Sequence, residues 1–172
     1  MVALSAVFKY NKSKLKAGEK TMSVCTFIAS DFPLTEVMPV PDHPLEISPD
    51  NGTIYDDGAE DNFSLRFFPD VSDYTDRKKG VCLEWRYTED RAEQMIAYIK
   101  DALRHAASVE LWHVWLTDYY EYEDRPVIHR QTVSVDELTA KQIRKIDEAE
   151  IWNTPDKRYP DRPSFYCLEI KR

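Results

Sequence analysis

Glycine is scarce. The 172-residue chain has four, Gly18, Gly52, Gly58 and Gly80, against ten prolines. Neither G-x-G-x-x-G nor G-x-x-x-x-G-K-[ST] can be built from those positions, so a glycine-rich phosphate cradle is excluded. Cysteine is sparse as well. Cys25, Cys82 and Cys167 each fall in a strand-like apolar run, far apart in sequence. That spacing fits neither a disulfide framework nor a zinc knuckle, and buried, reduced thiols in a cytoplasmic protein are expected. The four histidines, His43, His105, His113 and His129, form neither H-x-x-x-H nor H-E-x-x-H. No metal or other cofactor is expected, because only the pairing of strands could bring His113 and His129 together. No apolar run approaches the ~18 residues of a membrane span. Met1 to Val7 is apolar but too short for a secretory core and has no basic residue ahead of it, so no signal peptide and no membrane partner are expected.

What is present is charge of one sign, unevenly placed. Residues 1–20 hold five Lys against one Glu, a net +4, which leaves −12 on the rest of a chain whose total is −8. Residues 1–21 therefore read as a basic N-terminal extension, and 22–172 as one domain. A domain of that size buries roughly 70% of its unfolded surface, enough for a core without staples.

Within the domain, periodicity outlines an α+β order. Ser23 to Ala29 has the β-branched and apolar content of a buried strand. Residues 31–76 are punctuated by Pro and rich in Asp and Asn, predicting a long loop around one short strand, Phe63 to Phe68, with a tight turn at Asn51-Gly52. Val81, Leu83, Trp85 and Tyr87 alternate with Cys82, Glu84 and Arg86 as in a half-buried strand. Thr88 then caps a helix whose buried stripe is Ala92, Met95, Ile96, Ile99, Leu103 and Ala106. Val109 to Leu116 is apolar on both alternations except at Glu110 and His113, the pattern of a central strand. A strand from Pro126 through Val133 suggests a hairpin with it. Ser134-Val135-Asp136-Glu137 fits a capping box, stapled by Val133 and Leu138, for a second helix with Ile143, Ile146 and Ala149 buried. Phe165 to Ile170 is a last strand. The expected architecture is a single-domain α+β sandwich, a mainly antiparallel sheet with two helices on one face, ferredoxin-like connectivity being one alternative within that class.

Two acidic blocks carry the functional expectation. From Asp42 to Asp76 ten carboxylates face Arg66 alone, a net −9. After the central strand, Asp118, Tyr119, Tyr120, Glu121, Tyr122, Glu123 and Asp124 interleave four carboxylates with three tyrosines. Tyrosine anchors interfaces, and a ring of carboxylates selects and speeds association with a basic protein. A soluble acidic module for protein interaction, inhibitor-like and without catalytic residues, is therefore expected, with Asp118 to Asp124 as its binding surface and a basic protein as partner. Nucleic acid is disfavoured by the sign of the charge, and an exposed strand edge would allow a dimer. Alternatives are an enzyme pairing Asp118 or the acidic loop with His113 or His129, and a small-ligand module lined by Trp85, Trp112, Trp115 and Trp152. Carboxylates around Gly58 do not match a calcium loop.

Overall fold

The computed structural model describes residues 24–38, 46–48, 53–55, 63–85, 87–116, 125–149 and 164–172. The expected basic extension and the acidic tyrosine block at 118–124 lie outside them. Six strands form the main sheet: β1 (Val24–Ser30), β4 (Ser64–Phe67), β5 (Lys79–Glu84), β6 (Ser108–Trp115), β7 (Ile128–Ser134) and β8 (Phe165–Lys171). Their order is β4-β5-β1-β6-β8-β7. All neighbours are antiparallel except β7 and β8. Two short strands, β2 (Glu46–Ser48) and β3 (Thr53–Tyr55), pair separately, Ser48 opposite Thr53, across the predicted Asn51-Gly52 turn, whose own residues are not described.

Helices α1 (Glu89–Ala102) and α2 (Ala140–Asp147) cover one face of the sheet. Topology explains why both lie there. β5-α1-β6 spans over β1 and joins parallel strands, and β7-α2-β8 joins two adjacent parallel strands in the opposite direction along the sheet, with strands of opposite sense. A single preferred crossover hand then puts both helices on one side. The α+β sandwich expected from the sequence is what forms. The ferredoxin-like order does not, because β1 rather than β7 fills the place between β5 and β6. The hairpin expected between β6 and β7 is replaced for a related reason: β6 already pairs with β1 on one side and β8 on the other, so β7 docks beyond β8.

The first helix begins where its sequence directs. The Thr88 hydroxyl accepts from the Arg91 backbone N–H at 3.2 Å, and Glu89 and Asp90 occupy the positive end of the dipole. Its other end is closed by Arg172, whose Nε donates to the Leu103 carbonyl at 2.9 Å. The second helix starts later than the Ser134 box implies. Ser134 caps only the 3-10 turn Val135–Glu137, since Leu138 turns extended (φ −70°, ψ 124°) and is buried in the core. Thr139 then caps α2, with Gln142 Oε1 accepting from the Thr139 backbone N–H at 3.0 Å.

The core has two parts. Ile28, Leu65, Val81, Met95, Ile99 and Leu111 belong to the helix-covered side. On the other side Phe27, Phe68, Tyr74, Trp112, Phe165 and Cys167 are roofed, among the described residues, only in part, by the 3-10 turn Pro69–Asp73 and the residues after it. That roof comes close because Gly80 has no side chain: a Cβ there would sit 2.9 Å from both Cβ and Cγ2 of Val71. The sheet's edges differ too. β4 is flanked by an isolated bridge to Val37 and a Glu36 carboxylate accepting from the Phe67 N–H at 2.8 Å, whereas no strand pairs with the outer edge of β7 among the described residues. No helix among them is long and apolar enough to cross a membrane.

Candidate functional site

Alternation along β6 sends Glu110 and Trp112 to the face on which no helix packs among the described residues, the helix-free face, and Leu111 and His113 to the helix side. A carboxylate in the middle of a sheet must be fully paired to be tolerated. Glu110 is 5% exposed, and both of its oxygens are engaged. Oε2 accepts from Thr75 Oγ1 at 2.7 Å and from Trp112 Nε1 at 2.8 Å. Oε1 accepts from Arg130 Nη1 at 2.9 Å and lies 3.4 Å from Arg77 Nε. Burial alone would raise the Glu110 pKa, but the bonds from Thr75, Trp112 and Arg130 outweigh it and hold the carboxyl below its ordinary value. With its acceptor sites filled, Glu110 acts as a hub that aims its neighbours and has little capacity left for a substrate proton.

The register adds a second demand. Glu110 stands directly opposite Glu169 on β8, a like-charge pair that would repel. Arg77 resolves it. Its guanidinium lies 3.9 Å from Glu169 Oε1, donates to Asp31 Oδ2 at 2.6 Å and to Ser108 Oγ at 2.7 Å, and so bridges the ends of β1, β6 and β8. Thr132 Oγ1 and Lys171 Nζ complete the shell of Glu169 at 3.2 and 3.3 Å.

These groups line a cleft of about 320 Å³ on the helix-free face, whose walls include Asp31, Asp76, Arg77, Arg125 and Arg130 over the Trp112 ring. The Arg130 guanidinium lies 5.3 Å from the centre of that ring, a cation–π contact, with its side chain 45% exposed. Arg125 is exposed at the cleft and has no ion-pair partner among the described residues. Beneath them Cys167, in register with both Trp112 and Arg130, has its thiol pushed up to about 12 by burial and then by the Glu110 charge.

The residues singled out from sequence are distributed differently. Residues 117–124 are not described, but Leu116 before them packs against the cluster on the helix-free face, and Arg125 after them lines the cleft. His113 is buried at 2%, its Nδ1 3.2 Å from Thr26 Oγ1. His129 stacks on Tyr166 at 5.0 Å. The two histidines do share a row across the sheet, with Tyr166 of β8 between them. They sit on the helix side, opposite the cleft carboxylates, so β6 does not join Glu110 and His113 into an acid–base pair. The tryptophans are divided in the same way, Trp85 packing on the helix side and Trp112 and Trp115 on the other, with Trp152 not described. Among the described residues no three His, Cys, Asp or Glu side chains gather as a metal-binding group. Arg77, Glu110 and Arg130 were not legible as a site. The available signal was a lone carboxylate in an apolar strand, which demands cationic partners from elsewhere in the chain. Comparisons with protein-family models, with curated proteins and with solved structures found no match.

Proposed function

We propose that the protein is a cytoplasmic, non-catalytic interaction module of inhibitor type that captures a basic protein on the helix-free side of its sheet. The observation that carries this reading is convergence on that side. The segment 69–76, with Asp70, Asp73 and Asp76 exposed, is anchored there through buried Val71 and Tyr74. Both described flanks of the acidic tyrosine block, Leu116 and Arg125, meet the same side. On this reading the carboxylates of the two segments steer a cationic partner, and the tyrosines of the block 118–124 anchor it.

The test is capture from lysate by the full chain at low and high salt. Two charge reversals are compared, one of Glu121, Glu123 and Asp124 to Lys, the other of Asp70, Asp73 and Asp76 to Lys. A basic protein retained at low salt, released at high salt and lost by both variants supports the reading. Capture that survives both reversals rejects this surface.

The cleft itself favours a second reading, a site for a small anion held by the outward-facing Arg130 and by Arg125. Its volume lies at the lower end of the ~300–1,000 Å³ range of ligand pockets. Thermal shifts with small carboxylates and phosphates, abolished by Arg125→Ala, would support it. Equal melting temperatures with and without them would reject it.

A further inference from the structure

We propose that Cys25 and Cys82 form a dithiol modification site, which hydroperoxides close to an intramolecular disulfide and thiol reductants reopen. The two residues are remote in sequence, on β1 and β5, yet their sulfurs lie 3.3 Å apart. A disulfide needs an S–S distance of about 2.05 Å, so closure asks for an approach of about 1.3 Å. Both strands are in place around the pair: β1 and β5 are hydrogen-bonded neighbours, with Thr26 opposite Leu83 and Phe27 opposite Cys82. Cys25 and Cys82 are thus diagonal partners on the helix-free face. Diagonal positions in an ideal sheet are about 7–8 Å apart, just beyond the separation a disulfide spans without backbone movement, so closure draws the two strands together locally and favours a bond that reductants open readily.

The two sulfurs are not equivalent. Cys25 is buried, and Cys82 is partly exposed. Hydrogen bonding between them lowers the Cys82 thiol and, together with burial, raises that of Cys25. Cys82 is therefore the sulfur that meets the oxidant and Cys25 the one that resolves. The Cys82 sulfur attacks the O–O bond of a hydroperoxide, which breaks to release an alcohol or water and leaves a sulfenic acid. Cys25 then displaces hydroxide from that sulfur, its thiol proton leaving with the hydroxide as water. Two thiols lose two electrons and the peroxide gains them. Cys167 stands apart, on β8 with β6 between it and β1, about 9.5 Å from β1 by strand spacing.

The experiment treats the full-length reduced protein with hydrogen peroxide, then counts thiols that N-ethylmaleimide labels after denaturation and maps linked peptides by mass spectrometry. The expected result is one label per chain, on Cys167, against three before oxidation, with a Cys25–Cys82 linked peptide and full recovery on dithiothreitol. Cys167→Ser should still close, and Cys25→Ser should give no intramolecular link, its Cys82 trapped by dimedone as the unresolved sulfenic acid while Cys167 keeps its label. Phenylarsine oxide, which bridges paired thiols without any oxidant, is a second probe of wild-type protein and should block the same two residues. Three labels after peroxide, a link through Cys167, or a Cys82 that only over-oxidises would each overturn the proposal.

Discussion

The two faces of the sheet are held by different forces, although β6 contributes alternate residues of one strand to each. On the helix side Leu111 and its neighbours are covered by α1 and α2, and stability there comes from excluded water and close packing. On the other side, one residue along, Trp112 has only a partial roof among the described residues, and the remainder is an electrostatic lattice centred on Glu110. Apolar packing tolerates a deleted group in proportion to the cavity it leaves. A buried charge network tolerates the loss of a member poorly, because the partners left behind stay charged. The face without helices is thus held by a few specific bonds, and among the described residues it is also the less covered face.

Removing the hub is the sharpest way to break that contrast. Glu110→Ala leaves Arg77 and Arg130 without their shared carboxylate and Thr75 and Trp112 without an acceptor, and should cost about 3–5 kcal/mol in urea unfolding. Met95→Ala, a deletion on the helix side, is expected at about 2–5 kcal/mol. The two then separate by pH. Folding lowers the Glu110 pKa, so its stabilisation is fully present above the unfolded carboxylate value of about 4.3 and is lost as pH falls through the folded value. The gap between wild type and Glu110→Gln should therefore be widest near neutrality and narrow below about pH 4. The Met95→Ala gap should show no such narrowing. A pH-independent Glu110→Gln gap would remove the hub from the account.

The roof offers a second, smaller break. In Gly80→Ala the new methyl meets the Cβ and Cγ2 of Val71, positions that a β-branched side chain cannot swing aside. The expected cost is about 1–3 kcal/mol, the range for an overpacked site. Displacement of the turn at 69–73 should also loosen Thr75 from Glu110, so Gly80→Ala and Glu110→Ala should be less than additive in a double-mutant cycle. Strict additivity would show that roof and hub are independent.

Smaller again is the polar contact on the otherwise apolar side. Thr26→Val preserves shape but leaves His113 Nδ1 without the hydroxyl 3.2 Å away, for an expected loss of about 0.5–1.5 kcal/mol. Equal stability by chemical denaturation would mean that the contact contributes nothing net.

What the sequence reveals of these two faces is unequal for the same physical reason that their energetics differ. The helix side is written in local periodicity: Ala92, Met95, Ile96 and Ile99 recur at helical spacing after a Thr88 cap, and all four are buried as that pattern requires. The expected Ser134 box caps only a 3-10 turn, and α2 begins at Thr139 instead, because burying Leu138 interrupts the helix. The cleft has no local period at all. Arg77 precedes β5, Glu110 lies in β6 and Arg130 in β7, and only the insertion of β8 between β6 and β7 sets the spacing that Arg130 bridges to reach Glu110. The Cys25–Cys82 contact likewise depends on register, and a one-residue slip between β1 and β5 would turn one of the two thiols to the other face.

The finest test of the comparison keeps charge constant and alters only shape. Arg130 makes two contacts at once, a bond to Glu110 Oε1 at 2.9 Å and a stack over Trp112 at 5.3 Å. Lysine can supply the charge, but a point-like ammonium cannot both lie flat on the indole and direct an N–H at the carboxylate. Arg130→Lys should therefore retain the pH dependence contributed by Glu110 while losing the stacking component, about 0.5–1 kcal/mol for a partly exposed site. Trp112 fluorescence measured alongside urea unfolding reports both quantities in one experiment. If the variant matches wild type in stability and emission, charge alone organises this face. If it loses stability with a shifted emission and an unchanged pH profile, the planar guanidinium has a packing role, and the open face is held by shape as well as by charge.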